Sequence, residues 1–175
     1  LVAIMVALLG CTSCQKSLRN IISHAEDASF IIYTYDEFGS PHGTGSGFFI
    51  DSKGTGITNY HVLDGASKAF IKTSDEKEYE IESVIGSDKN WDLIKFTLKG
   101  NHSSFKFLKF ANKPAKKGDE VYNLSSPLGL EKTASSGIVS SFRTDKKHGE
   151  VVQVTTPISS GSSGSPLFNK NGDVF

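Results

Sequence analysis

The run Ser29-Phe30-Ile31-Ile32-Tyr33-Thr34-Tyr35, then Phe38-Gly39-Ser40-Pro41, then Gly45-Ser46-Gly47-Phe48-Phe49-Ile50, sets the reading of the whole chain. Aromatic and β-branched residues fill the two outer runs, and Gly and Pro punctuate the gap. That is the pattern of short strands joined by a turn. Working outward, strands are expected near 28–35, 45–51, 56–59, 67–73, 78–86 and 91–98. A second series follows near 105–109, 119–125, 132–143, 149–156 and 165–169. Lys53-Gly54-Thr55-Gly56, Lys99-Gly100-Asn101 and Asn169-Lys170-Asn171-Gly172 supply further turns. Ahead of the strands, residues 12–27 are polar, with Leu18, Ile21, Ile22 and Ala25 at helical spacing, which predicts a short linker helix.

Many short strands at regular intervals, with no long helix between them, imply an all-β antiparallel barrel or sandwich. The Lys99–Ser104 stretch is the natural seam, dividing the chain into halves at 28–100 and 101–175. The second half is short of strands, since Asp173-Val174-Phe175 reads as the start of a further one. The chain has 175 residues, enough for one sizeable domain or two small barrels sharing a core. Lys and Arg number 19 and so do Asp and Glu, so the formal net charge is zero and the basic footprint of a nucleic-acid binder is absent.

Leu1 to Leu9 is an unbroken apolar run, far short of the roughly 20 residues a membrane-spanning helix needs. It matches the apolar core of a secretory signal over residues 1–10, which makes the cell envelope the expected location. Leu8-Leu9-Gly10-Cys11 looks like the lipobox of a bacterial lipoprotein, which would make Cys11 the lipidated residue and attach the protein to a membrane. An ordinary cleaved signal is the other reading. A Cys11–Cys14 redox or metal half-site is disfavoured, because the chain holds no second cysteine pair. The start reads as clipped, unless Met5 is the initiator. Residues 11–27 are then a linker with a short helix.

Three motifs carry chemistry. Gly161-Ser162-Ser163-Gly164 presents a serine with glycine at both flanking offsets, and Ser163 is the only one of the five serines in that loop so placed. A nucleophilic hydroxyl needs such a turn, with backbone N–H groups aimed where the oxyanion forms; those of Gly161 and Ser163 are the candidates. Thr58-Asn59-Tyr60-His61-Val62 places a histidine just after the strand expected near 56–59, where it would serve as general base. Trp91-Asp92-Leu93-Ile94 offers a carboxylate, shielded by apolar neighbours, to orient that histidine. Asp88 is the runner-up acid but lies in a polar turn. His24, His42, His102 and His148 sit in polar or Gly-rich stretches and read as exposed; none pairs at metal-ligand spacing, so no cofactor or metal is implied.

The order His61, Asp92, Ser163 is that of the two-barrel serine proteases. With Gly45-Ser46-Gly47-Phe48, Ser136-Gly137-Ile138-Val139-Ser140 and Gly161 to Asn169 in sequence, the chain over 28–175 resembles HtrA-like (Deg-type) trypsin-fold proteases. The resemblance implies two antiparallel β-barrels with the active site in the cleft between them. His61 and Asp92 come from the first barrel and Ser163 from the second. It also implies that the strand lining the specificity pocket lies after Phe175, leaving the second barrel incomplete. The activity implied is peptide-bond hydrolysis through an acyl-enzyme, on unfolded or misfolded envelope proteins, with homo-oligomer formation left open. An inactive protease-like binding module and a narrow processing protease are the rival readings.

Overall fold

The computed structural model describes residues 17–125, 133–146, 148–158 and 161–175. The lipobox expected at Cys11 lies outside them. Among the described residues no helix is long and apolar enough to cross a membrane.

The first element is α1 (Leu18–Asp27), capped by Ser17, whose Oγ accepts the Asn20 N–H at 3.3 Å. Six strands follow: β1 (Ser29–Tyr35), β2 (Pro41–Phe49), β3 (Gly56–Asn59), β4 (Lys68–Thr73), β5 (Glu78–Asp88) and β6 (Leu93–Leu98). They close an antiparallel barrel in the order β1-β2-β3-β6-β5-β4. Period-two alternation turns Phe30, Ile32 and Thr34 of β1 inward, and likewise Ile94, Phe96 and Leu98 of β6. The Phe30 ring packs on Phe49 at 4.6 Å and on Phe96 at 5.8 Å, filling the barrel with aromatic surface.

The second half is an open four-stranded sheet, β10-β7-β8-β9, built from β7 (Glu120–Ser125), β8 (Thr133–Asp145), β9 (Gly149–Val154) and β10 (Leu167–Phe168). The long β8 serves two partners: its first part pairs with β7 from Thr133 to Ile138, and its second pairs with β9 from Val139 to Asp145. The expected all-β architecture is observed, with a closed barrel in the first half and, among the described residues, an open sheet in the second.

Two local expectations are corrected and one short element is added. Residues 105–109 are not a strand: the barrel ring is already closed and offers no free edge to pair with. This segment instead plugs the barrel's end, with Phe105 stacked on Phe49 at 4.4 Å and the Leu108 N–H bound to Phe49 O at 2.9 Å. His61 follows β3, which has the bounds expected for that strand, and is carried by a single helical turn, α2 (Tyr60–Leu63), that the sequence did not predict. Helix α1 does more than link. Its Ile21 and Ala25, one turn apart, are buried in a core shared with Phe48 of β2, Leu108, Leu124 of β7 and Phe168 of β10. The helix therefore helps glue the two halves together.

Ile21 is 4% exposed, so Ile21→Ala leaves a cavity at that junction. Urea unfolding should register a loss of about 2–4 kcal/mol. A change within the error of the measurement would mean that α1 is peripheral.

Candidate active site

The pairing of β3 with β6 sets Asn59 opposite Leu93 and Thr58 opposite Ile94, which brings the start of α2 beside Asp92. His61 binds Asp92 twice: ring Nδ1 lies 2.7 Å from Oδ2, and the backbone N–H donates to Oδ1 at 2.9 Å. A carboxylate only accepts, so Nδ1 is the donor, and in the neutral imidazole Nε2 presents its lone pair. The Asp92 carbonyl is held too, by the Tyr60 N–H at 3.0 Å and the Asn59 side-chain amide at 2.8 Å.

Asp92 itself has φ +53, a left-handed conformation that costs a non-glycine residue about 1–2 kcal/mol. Aspartate is among the few side chains that adopt it readily. Four hydrogen bonds, two to the carboxylate and two to the carbonyl, hold it there. The expected apolar shielding is corrected: Trp91 and Leu93 are about half exposed (52% and 48%), and hydrogen bonds rather than burial fix the carboxylate. Asp88 Oδ1 accepts the N–H groups of Asn90 and Trp91 at 2.9 and 3.1 Å, so it shapes the turn that leads into Asp92.

The Ser163 loop comes from the other half. Ser159 and Ser160 lie outside the described residues. Gly161 and Gly164 have φ +93 and +83, which side chains rarely adopt. The Ser165 N–H closes a turn onto Ser162 O at 3.0 Å, and Ser165 Oγ lies 2.6 Å from the same oxygen. Serine at 165 thus strengthens the turn. A Cβ on Gly164 would lie 2.2 Å from both Ser46 O and Thr58 Oγ1, so the loop rests flush against β2 and β3. Ser163 and Gly164 line a cleft of about 560 Å³ with Asn59 and Leu93, the neighbours of His61 and Asp92, and with the exposed apolar Phe110 and Ile158.

Of the remaining histidines, His24 and His42 are exposed as expected, whereas His102 and His148 are half-buried. His102 packs against Tyr79 and Phe105 at 5.2 and 5.3 Å, and His148 binds Asp145 Oδ1 at 2.9 Å. Among the described residues, no group of three or more His, Cys, Asp or Glu could hold a metal ion. Two contributors had no assigned role in the sequence reading: the Asn59 amide and the Ser46 hydroxyl. Both lie inside motifs already singled out, but their partners are backbone carbonyls, which spacing does not reveal.

The trypsin-like peptidase domain model matches residues 45–175. A probable periplasmic serine endoprotease DegP-like of Hahella chejuensis is 35% identical over 75% of this chain and 28% of its own length. A putative serine protease HhoA of Synechocystis is 32% identical over 76% of this chain and 36% of its own. Protease Do-like 1, chloroplastic, of Arabidopsis thaliana is 28% identical over 82% and 34%. The chain thus spans about a third of the length of these relatives. A solved structure, the HtrA-type protease AlgW with tripeptide, superimposes with a TM-score of 0.80 at 23% identity, covering 91% of this chain and 52% of that one.

Gly164→Ala would force its methyl into a backbone oxygen that the β2–β3 wall cannot easily release, at a φ that already penalises a side chain. Thermal or urea unfolding of the full-length protein should show a loss on the order of 3 kcal/mol. Stability equal to that of the wild type would refute the close approach of loop and barrel.

Proposed function

Because the chain belongs to the family of trypsin-like peptidases, we propose that it is a serine endopeptidase in which Ser163 is the nucleophile, His61 the general base and Asp92 the residue that orients it. The observation that carries this reading is the double hydrogen bond from His61 to one carboxylate, at 2.7 and 2.9 Å. It leaves Nε2 as the acceptor for a serine proton.

The Ser163 oxygen attacks the scissile carbonyl carbon as its proton passes to His61 Nε2. The carbonyl oxygen becomes an oxyanion, met by the N–H groups of Gly161 and Ser163. As the intermediate collapses, the C–N bond breaks and His61 returns the proton to the departing amine, leaving the acyl group on Ser163. Water, deprotonated by His61, then hydrolyses the ester and restores the free serine.

The substrates are polypeptides, and the apolar cleft wall at Leu93, Phe110 and Ile158 favours an apolar side chain beside the scissile bond. Unfolded or misfolded proteins of the cell envelope fit an open cleft that needs an extended chain. The relatives named periplasmic endoproteases support that location. Attachment through a lipidated Cys11 completes the proposal. Metabolic labelling with radioactive palmitate should mark the protein, and Cys11→Ala should lose the label.

In the full-length protein, Ser163→Ala should lose fluorophosphonate labelling and on the order of 10⁶ in turnover on a peptide substrate. Asp92→Asn should keep the fold and lose on the order of 10⁴, since the amide favours the wrong imidazole tautomer. Labelling that survives Ser163→Ala and disappears in Ser162→Ala or Ser165→Ala would move the nucleophile.

A further inference from the structure

Ser46 lies in β2, on the barrel, yet its polar groups are spent on the loop of the other half. Its N–H donates to Ser163 O at 2.8 Å and its Oγ donates to Gly161 O at 2.7 Å. Its own carbonyl accepts the Thr58 hydroxyl at 2.7 Å, which ties it to β3. The side chain is shut away from water, at 4% exposure, so the hydroxyl has no solvent partner to exchange for Gly161 O.

The consequence follows from the planarity of the peptide group. The C=O and N–H of one trans peptide point in opposite directions, so anchoring a carbonyl aims the next residue's N–H. Ser46 anchors the carbonyls of Gly161 and Ser163, and the Ser165 N–H anchors that of Ser162 at 3.0 Å. Three successive peptide planes are thereby fixed. The middle one carries the Ser163 N–H, turned away from the anchored Ser162 oxygen. The outer two, both held by Ser46, stop the middle plane from rotating. Glycine at 161, with φ +93, would otherwise leave this segment free to rotate.

We propose that Ser46 is a positioning residue of the oxyanion hole, acting from the opposite half of the molecule through the Gly161 and Ser163 carbonyls. This rests on the serine-peptidase reading. Ser46→Ala keeps the backbone bond to Ser163 O and deletes only the hydroxyl. Direct loss of one oxyanion donor costs 10²–10³ in turnover elsewhere, so this indirect loss should lower kcat by about 10- to 100-fold. KM should stay unchanged, because the affected contact forms only with the oxyanion.

The test measures wild type, Ser46→Ala and Ser46→Cys in the full-length protein. Readouts are kcat and KM on a peptide ester, the affinity of a peptide boronic acid that forms a tetrahedral adduct, and the thermal midpoint. The boronate should weaken in step with kcat in Ser46→Ala. Ser46→Cys, with its weak thiol donor, should fall between that variant and wild type, and carries the test if Ser46→Ala does not fold. Wild-type kcat and boronate affinity in Ser46→Ala, or in Ser46→Cys where the alanine variant is unfolded, overturn the assignment. So does a fall in kcat accounted for by the unfolded fraction alone. A wild-type protein that does not react with fluorophosphonate overturns the peptidase reading and takes this inference with it.

Discussion

The two halves approach closely at Gly164, where a missing side chain lets the loop lie against the Ser46 carbonyl and the Thr58 hydroxyl. Adhesion between the halves is apolar and non-directional: the core of Ile21, Ala25, Phe48, Leu108, Leu124 and Phe168 holds α1, barrel and sheet together without specifying how they are offset. Direction comes from the polar contacts above it. Thr58 is committed to Ser46 O, and Ser46 to the Gly161 and Ser163 carbonyls. Removing the glycine would separate surfaces that the hydrophobic core alone would still pull together. The offset of loop and barrel is therefore set by hydrogen-bond geometry, and its strength by buried area.

Asp92 shows how a strained residue is kept. A left-handed aspartate is unfavourable by about 1–2 kcal/mol in isolation, less than four well-placed hydrogen bonds can offset. The strain has a structural reason. With the backbone turned this way, the Asp92 carbonyl faces β3 and accepts from Asn59 and Tyr60, while the carboxylate reaches His61 one residue further on. The β3–β6 ladder begins at the next pair, Asn59 and Leu93. The acid is thus seated by the same backbone pairing that builds the barrel wall.

Most of the strands were legible because each buries one face, and burial writes a period of two into the sequence: Phe30, Ile32 and Thr34 in β1, Ile94, Phe96 and Leu98 in β6. Residues 105–109 are aromatic and apolar for another reason, as Phe105 and Leu108 cap a barrel end. Only the closure of the ring, a property of six segments at once, rules out pairing. The four residues of α2 are too few to show a helical period, and only Val62 among them is buried. The periodicity of α1 was plain, but its partners lie at residues 48, 108, 124 and 168, beyond the reach of any local pattern. The candidate residues His61, Asp92 and Ser163 stood out because each sits in a short motif with demanding chemistry. The Asn59 amide and the Ser46 hydroxyl did not, since each is defined by the carbonyl it meets.

The site also divides its geometry unequally between the halves. His61 and Asp92 lie on one closed barrel, joined by the β3–β6 ladder, so their 2.7 Å contact depends on nothing in the sheet half. Ser163 reaches the cleft beside Asn59 and Leu93 only through the docking of that sheet, by way of a loop whose two glycines have positive φ. Loosening the shared core would therefore leave the His61–Asp92 pair intact and displace the serine. Local opening free energies follow this kind of division, because elements inside a closed barrel share its stability while a loop seated on a neighbour opens with the interface. The backbone contacts of Ser46 bridge that weaker boundary. They tie the position of the serine loop to the rigid wall that already holds the histidine and the aspartate.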